Sequence, residues 1–147
     1  MPEKRLQTVY VVDDEPIISS TFATILNGSG YSALAFTSAE EAIREASKAA
    51  ESGFPDFLLS DVSMPGMNGV DLAILFRKAS PNCRILLFSG ALSSAGILEN
   101  ARRLGYEFPL LAVPVHPNDL LAAISWAVTG LLCLRETRGH DTYSQQF

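Results

Sequence analysis

The chain has 147 residues, 48% hydrophobic and 18% charged, with a formal net charge of −5. That length makes one domain with a single substantial core, and that composition excludes a disordered chain. The acidic balance argues against nucleic acid as the main partner, because phosphate binding wants a basic face and pairs such as Lys4–Arg5 and Arg102–Arg103 are too small to supply one.

In chain order, an apolar run Thr8–Val12 reads as a first strand and ends at Asp13-Asp14. Pro16 then opens a helix at a position where proline is tolerated, with Ile18, Phe22, Ile25 and Leu26 at helical spacing and a stop at Asn27-Gly28-Ser29-Gly30. Ser32–Phe36 is the second strand. Thr37-Ser38-Ala39-Glu40-Glu41 is a capped start for a second helix with Ala42, Ile43 and Ala46 inward. Gly53, Pro55 and Asp56 break toward a third strand, Phe57–Ser60, which ends at Asp61. Asn68-Gly69 precede a third helix that stops at Ser80-Pro81. Arg84–Ser89 is a fourth strand, Ser94–Leu104 a fourth helix, and Leu110–Val113 a fifth strand. Pro117-Asn118-Asp119 opens a last helix running to about Leu134. Residues 1–134 are thus expected to form one domain, with 135–147 a polar, disordered tail.

Five strand–helix alternations with short connections are the pattern of parallel βαβ units, hence a three-layer α/β/α sandwich. The strands show little polar alternation, as expected when both faces are covered. Cys83 and Cys133 match no ligand spacing and read as reduced thiols used as small apolar residues. No apolar stretch reaches the roughly 18 residues of a membrane span, and MPEKRLQT lacks the apolar segment of a secretory signal. No membrane partner is expected, and the expected location is the cytoplasm.

Asp13, Asp14 and Asp61 fall where buried strands stop and loops begin. Parallel strands put their C-terminal ends on one sheet edge, where ligands bind. Three carboxylates gathered there repel one another unless a cation neutralises them, and clustered carboxylate oxygens suit Mg2+. Each also has a plainer reading: Asp14-Glu15-Pro16 favours a helix N-terminus, and Asp61 can cap a turn. Neither accounts for all three together.

VVDDEP, LLSDVSMPGMNGVDL, Ser89 in LLFSGA, and the proline in AVPVHPNDLLAAI together resemble the receiver domain of two-component response regulators, from about Gln7 to Val128. The resemblance implies a flavodoxin-like (βα)5 fold with strand order 2-1-3-4-5. It implies that Asp61 accepts a phosphoryl group from a histidine kinase or histidine phosphotransfer protein, and that Asp13, Asp14, Asp61 and the backbone carbonyl of Ser63 hold Mg2+. Ser89 then matches the family's switch hydroxyl, and backbone N–H groups near Ser63 and Ala91, beside Gly90, bind phosphoryl oxygens. Pro65, Gly66 and Gly69 fit the tight loop after the acceptor. The implied role is a signalling module, not an enzyme. Docking is expected at Ile17, Ser20 and Thr21. Signalling or homodimerisation is expected through the fourth helix, fifth strand and fifth helix, including Arg102, Arg103, Ala112 and Trp126.

The chain departs from the family at two places. Val113 precedes Pro114 where the family carries a lysine, and no lysine follows Lys78. Leu111 stands where many members have an aromatic switch residue. His116 reads as a surface histidine of the helix start. Without the lysine one carboxylate is expected to have a raised pKa when metal is absent, and coupling to the distal face is expected to weaken. The competing reading is a divergent, non-switching receiver acting as a constitutive scaffold. A phosphatase of the haloacid dehalogenase type would want a second aspartate two residues after the first, and a catalytic lysine; the chain has Asp13-Asp14-Glu15-Pro16 and no late lysine. No DNA-binding or catalytic output domain is expected within the residues left over.

Overall fold

The computed structural model of the protein describes residues 6–48, 54–89 and 94–112, with positions 118, 121, 122 and 124. The elements run β1 (Thr8–Val12), α1 (Pro16–Asn27), β2 (Ser32–Phe36), α2 (Ala39–Lys48), β3 (Phe57–Asp61), α3 (Gly69–Ala79), β4 (Arg84–Ser89), α4 (Ser94–Arg103) and β5 (Leu110–Ala112). Among the described residues the four strand pairings are all parallel, in the order β2-β1-β3-β4-β5. This is the flavodoxin-like arrangement, with Asp61 as the last residue of β3 rather than the first of a loop. The expected last helix and polar tail lie largely outside the described residues, as do Gly90, Ala91, Val113, His116, Trp126 and Cys133.

Side chains alternate across each strand, so one apolar run feeds two cores. Val9 and Val11 join Phe22 and Leu26 of α1, Phe57, Leu59, Phe88 and Ile124 on one face. Tyr10 and Val12 join the α2 and α3 residues Ala42, Ala46, Leu72 and Phe76 on the other. Cys83 is a buried free thiol in that second core, and burial pushes its pKa up to about 12, so it behaves as a small hydrophobe. Tyr10 sits beside Phe36 and Phe76, with ring centroids 4.7 and 6.1 Å away.

One expectation is corrected. β2 is not covered on both faces: Ser32, Leu34 and Ala35 are exposed, Leu34 at 45%. Among the described residues it is an edge strand, paired to β1 alone. The structure manages that edge with a side chain. Ser32 gives its N–H to Gln7 at 2.8 Å, so the next residue, Ala33, turns its peptide groups away from β1. The Asn27 amide at the end of α1 meets both, accepting from the Ala33 N–H at 2.8 Å and donating to the Ala33 carbonyl at 3.2 Å. Asn27 thus stands in for a missing strand, which blunts the edge as a template for aggregation. Asn27→Ala is expected to cost about 1 kcal/mol, read by thermal unfolding as a Tm lower by about 3–6 °C.

Local chemistry sets the helix starts that frame the site. Pro16 occupies the first turn of α1, where no helical N–H is lost. Ser38 and Glu41 form a reciprocal cap on α2: the Ser38 hydroxyl accepts from the Glu41 N–H at 3.1 Å, and Glu41 accepts from the Thr37 N–H at 3.0 Å. Asn68 caps α3, its side chain accepting from the Asp71 N–H at 2.8 Å.

Candidate functional site

The register of the sheet assembles the site. Val12 pairs with Ser60 across β1 and β3, so the next residues, Asp13 and Asp61, reach the same edge side by side. Asp61 pairs in turn with Phe88, which places Ser89, half-buried, at the end of the adjacent strand β4. Asp13, Asp14 and Asp61 each present a carboxylate oxygen, and these atoms all lie within 4.8 Å of one another. Asp13 is buried, Asp61 half-buried and Asp14 exposed, so the cluster opens outward through Asp14. The donor set fits a hard, oxygen-seeking divalent cation that keeps several waters.

Asp13 and Asp61 are held by backbone. The Asp13 carboxylate accepts from the Glu15 N–H at 2.9 Å, while the Asp13 N–H extends the β1–β2 ladder to the Phe36 carbonyl at 3.1 Å. α1 itself starts without a side-chain cap at Glu15, whose own N–H is the one the Asp13 carboxylate takes. Behind Asp61, α3 approaches so closely that a Cβ on Gly69 would lie 1.9 Å from the Asp61 carbonyl oxygen. Gly66 has φ +75°, a conformation glycine adopts without strain, in the turn that carries the chain from β3 to α3.

The electrostatics reflect charges brought together out of water. Burial, then the nearby Asp61 and Asp14 charges, raise the Asp13 pKa to about 7 against the pull of the Glu15 N–H. Burial likewise raises Asp61 to about 6; the Ser63 and Val62 amides oppose this, and the Asp14 and Glu15 charges add to it. The raised carboxyl pKa expected from the sequence is present in two groups, and desolvation is its larger cause. Glu15, at the start of α1, is a fourth carboxylate acting on the site. Its place directly after the aspartate pair was the available signal.

These shifts have a sign. Both folded-state values lie above the ordinary 3.8, so the metal-free folded protein holds these protons more tightly than the unfolded chain does. The stability they contribute is fully present below about pH 4 and is lost as pH rises through about 6 and then about 7. In chelator, the Tm of Asp13→Asn relative to wild type is therefore expected to climb across that window, and added Mg2+ should shrink the difference by stabilising the wild type. A flat difference from pH 4 to 8 would show that the two carboxyls are not coupled to folding.

Leu111, set against the family's aromatic residue, is 3% exposed and packed with Phe88 in the core on the α1 face. The β5 side chain that packs with the cluster containing Ala101 of α4 is Leu110, one residue earlier. Alternation along the strand puts the two leucines on opposite faces of the sheet. Ser63 has its amide directed to the Asp61 carboxylate. Arg102 and Arg103 are exposed at the end of α4, Arg102 paired with Glu99 at 2.7 Å and with Glu107 at 3.5 Å. Among the described residues, no helix is long and apolar enough to cross a membrane.

Comparison with known proteins agrees with this geometry. Residues 9–125 match the family described as the response regulator receiver domain. The phosphoglycerate transport system transcriptional regulatory protein PgtA of Salmonella typhimurium is 31% identical over 121 residues, covering 82% of this chain and 28% of that protein. The nitrate/nitrite response regulator protein NarL of Escherichia coli K12 is 30% identical over 138 residues, covering 92% of this chain and 61% of that protein. This chain therefore spans less than two thirds of either regulator. A response regulator receiver domain from Clostridium thermocellum superposes with a TM-score of 0.72 at 26% identity, over 88% of this chain and 99% of that one.

Proposed function

Because the chain belongs to the response regulator receiver domain family, we propose that Asp61 is its phosphoryl acceptor, charged by a histidine kinase or a histidine phosphotransfer protein. The observation that carries this reading is the convergence of Asp13, Asp14 and Asp61 carboxylate oxygens within 4.8 Å at the C-terminal edge of the sheet. In the proposed step an Asp61 oxygen bonds to phosphorus as the donor's N–P bond breaks, the freed imidazole keeps the electron pair, and an acyl phosphate forms on Asp61. Asp13, Asp14, Asp61 and the Ser63 carbonyl are the groups to hold Mg2+. When bound, that ion offsets charge on the carboxylates and the phosphoryl oxygens.

The remaining work falls to the chain itself. Asp61 must be ionised to attack, and with its pKa raised to about 6 the metal-free site keeps part of it protonated just below neutral pH. The Ser63 amide orients the carboxylate. The Ser89 hydroxyl, on the next strand, is the donor proposed for a phosphoryl oxygen, with the Ala91 amide beside Gly90 as a second. Ile17 is 78% exposed in the first turn of α1, with Ser20 and Thr21 exposed beside it, which supports docking of the phosphodonor there. The face of α4 and β5, with exposed Arg102, Arg103 and Leu104, is the proposed surface for a downstream partner or a second copy. With Val113 in place of lysine, the phosphoryl group lacks one charge-assisted contact worth about 1.5–3 kcal/mol, so the readout is weakened more than the chemistry.

The test is incubation with phosphoramidate and Mg2+, followed by intact mass and by acid and base treatment. An acid-stable, base-labile adduct mapped to Asp61 is the expected result. No adduct would favour the constitutive scaffold, a reading already supported by the absence of any lysine after Lys78.

A further inference from the structure

Three polar or charged residues are buried among the described ones: Asp13, Ser19 and Ser60. Asp13 belongs to the carboxylate cluster, and the Ser19 hydroxyl is used within its own helix, donating to the Pro16 carbonyl at 3.3 Å. Ser60 is different. It has no solvent exposure, and its hydroxyl donates to the backbone carbonyl of Asp61 at 3.0 Å.

That carbonyl is confined from several directions. The bare Cα of Gly69 presses on it, since a Cβ there would lie 1.9 Å from the Asp61 oxygen and 2.9 Å from the Ser60 hydroxyl oxygen. The following residue is pinned at both ends, its N–H to the Phe88 carbonyl at 3.0 Å and its carbonyl to the Gly69 N–H at 2.9 Å. The peptide that leaves Asp61 thus has its plane fixed by β4, α3 and one side-chain donor. Rotating that plane turns the Asp61 Cα and swings its carboxylate.

We propose that Ser60 is a positioning residue for the phosphoacceptor: its hydroxyl bond to the Asp61 carbonyl holds the carboxylate on the line of attack. The inference rests on the reading of Asp61 as acceptor. Without the hydroxyl the carbonyl becomes an under-satisfied buried acceptor, and the peptide relaxes toward another donor. A nucleophile displaced by a fraction of an ångström reacts more slowly even when its pKa and its ligands are intact.

The experiment compares wild type, Ser60→Ala and Ser60→Cys in phosphoryl transfer from phosphoramidate at saturating Mg2+, alongside thermal unfolding. In Ser60→Ala the maximal rate constant is expected to fall about two- to tenfold, the value of one net hydrogen bond, with the half-saturating phosphoramidate concentration unchanged. Ser60→Cys, a weaker donor of similar size, should lie between the two. Wild-type rates in Ser60→Ala would overturn the proposal, because a small side chain would then suffice. Equal losses in both variants would overturn it as well, making the effect one of packing. Should Ser60→Ala not fold, Ser60→Cys decides alone: a reduced maximal rate with unchanged half-saturation supports the role, and a wild-type rate refutes it. A wild type that takes no label at Asp61 would instead remove the acceptor reading, and this inference would fall with it.

Discussion

Asp61→Asn is expected to reduce phosphoryl labelling to background while leaving the fold intact. The carboxamide has the shape of the carboxylate but neither its charge nor a nucleophilic oxygen, so bond formation to phosphorus stops. The same change removes one of three anionic oxygens that converge within 4.8 Å. Magnesium affinity should fall about ten- to a hundredfold, the attraction lost at an effective dielectric of about 20 less the desolvation it no longer costs. Stability moves the opposite way. In chelator above neutral pH the substitution relieves the Asp14 and Glu15 repulsion and the burial of a charge, so Tm should rise. Intact mass after phosphoramidate, calorimetry with Mg2+ and thermal unfolding read the three effects separately. Labelling that persists on Asp61→Asn would place the acceptor elsewhere.

Gly69→Ala is the second large effect, and its sign runs against helix propensity. Gly69 is the first residue of α3, where alanine would ordinarily add up to about 1 kcal/mol. Here the new methyl would sit 1.9 Å from the Asp61 carbonyl oxygen and 2.8 Å from its carbon, both backbone atoms that no rotamer change can move aside. Either the start of α3 or the end of β3 must shift, and overpacking of this kind costs about 3 kcal/mol or more. Denaturant unfolding should report that loss. Because the displaced atoms belong to the acceptor, the labelling rate per folded molecule should fall as well. A variant as stable as wild type would mean that the helix–strand approach is looser than described.

Much of the fold was legible in the sequence, for a physical reason. Strands with two covered faces read as unbroken apolar runs, and proline, capping residues and glycine mark where helices start and stop. Thr8–Val12, Ser32–Phe36 and Arg84–Ser89 were bounded correctly because their ends coincide with such breaks. β2 misled because Ser32–Phe36 looks apolar like its neighbours, whereas its exposure follows from lying at the sheet edge. Leu111 and Leu110 could not be told apart in role by composition, since both are leucine and only the pleat assigns them to opposite cores.

The sequence by itself determined the order of strands and helices, the three aspartates at strand ends and the absence of a late lysine, because local pattern and residue chemistry are properties of the chain alone. Tertiary structure decided the rest. Pairing of Val12 with Ser60 brought Asp13 beside Asp61, and burial raised both carboxyl pKa values. The contact between Gly69 and the Asp61 carbonyl arises only when α3 closes over β3. Distance between residues remote in sequence, and the dielectric around them, are set by register and packing, and no reading of the chain in one dimension contains either.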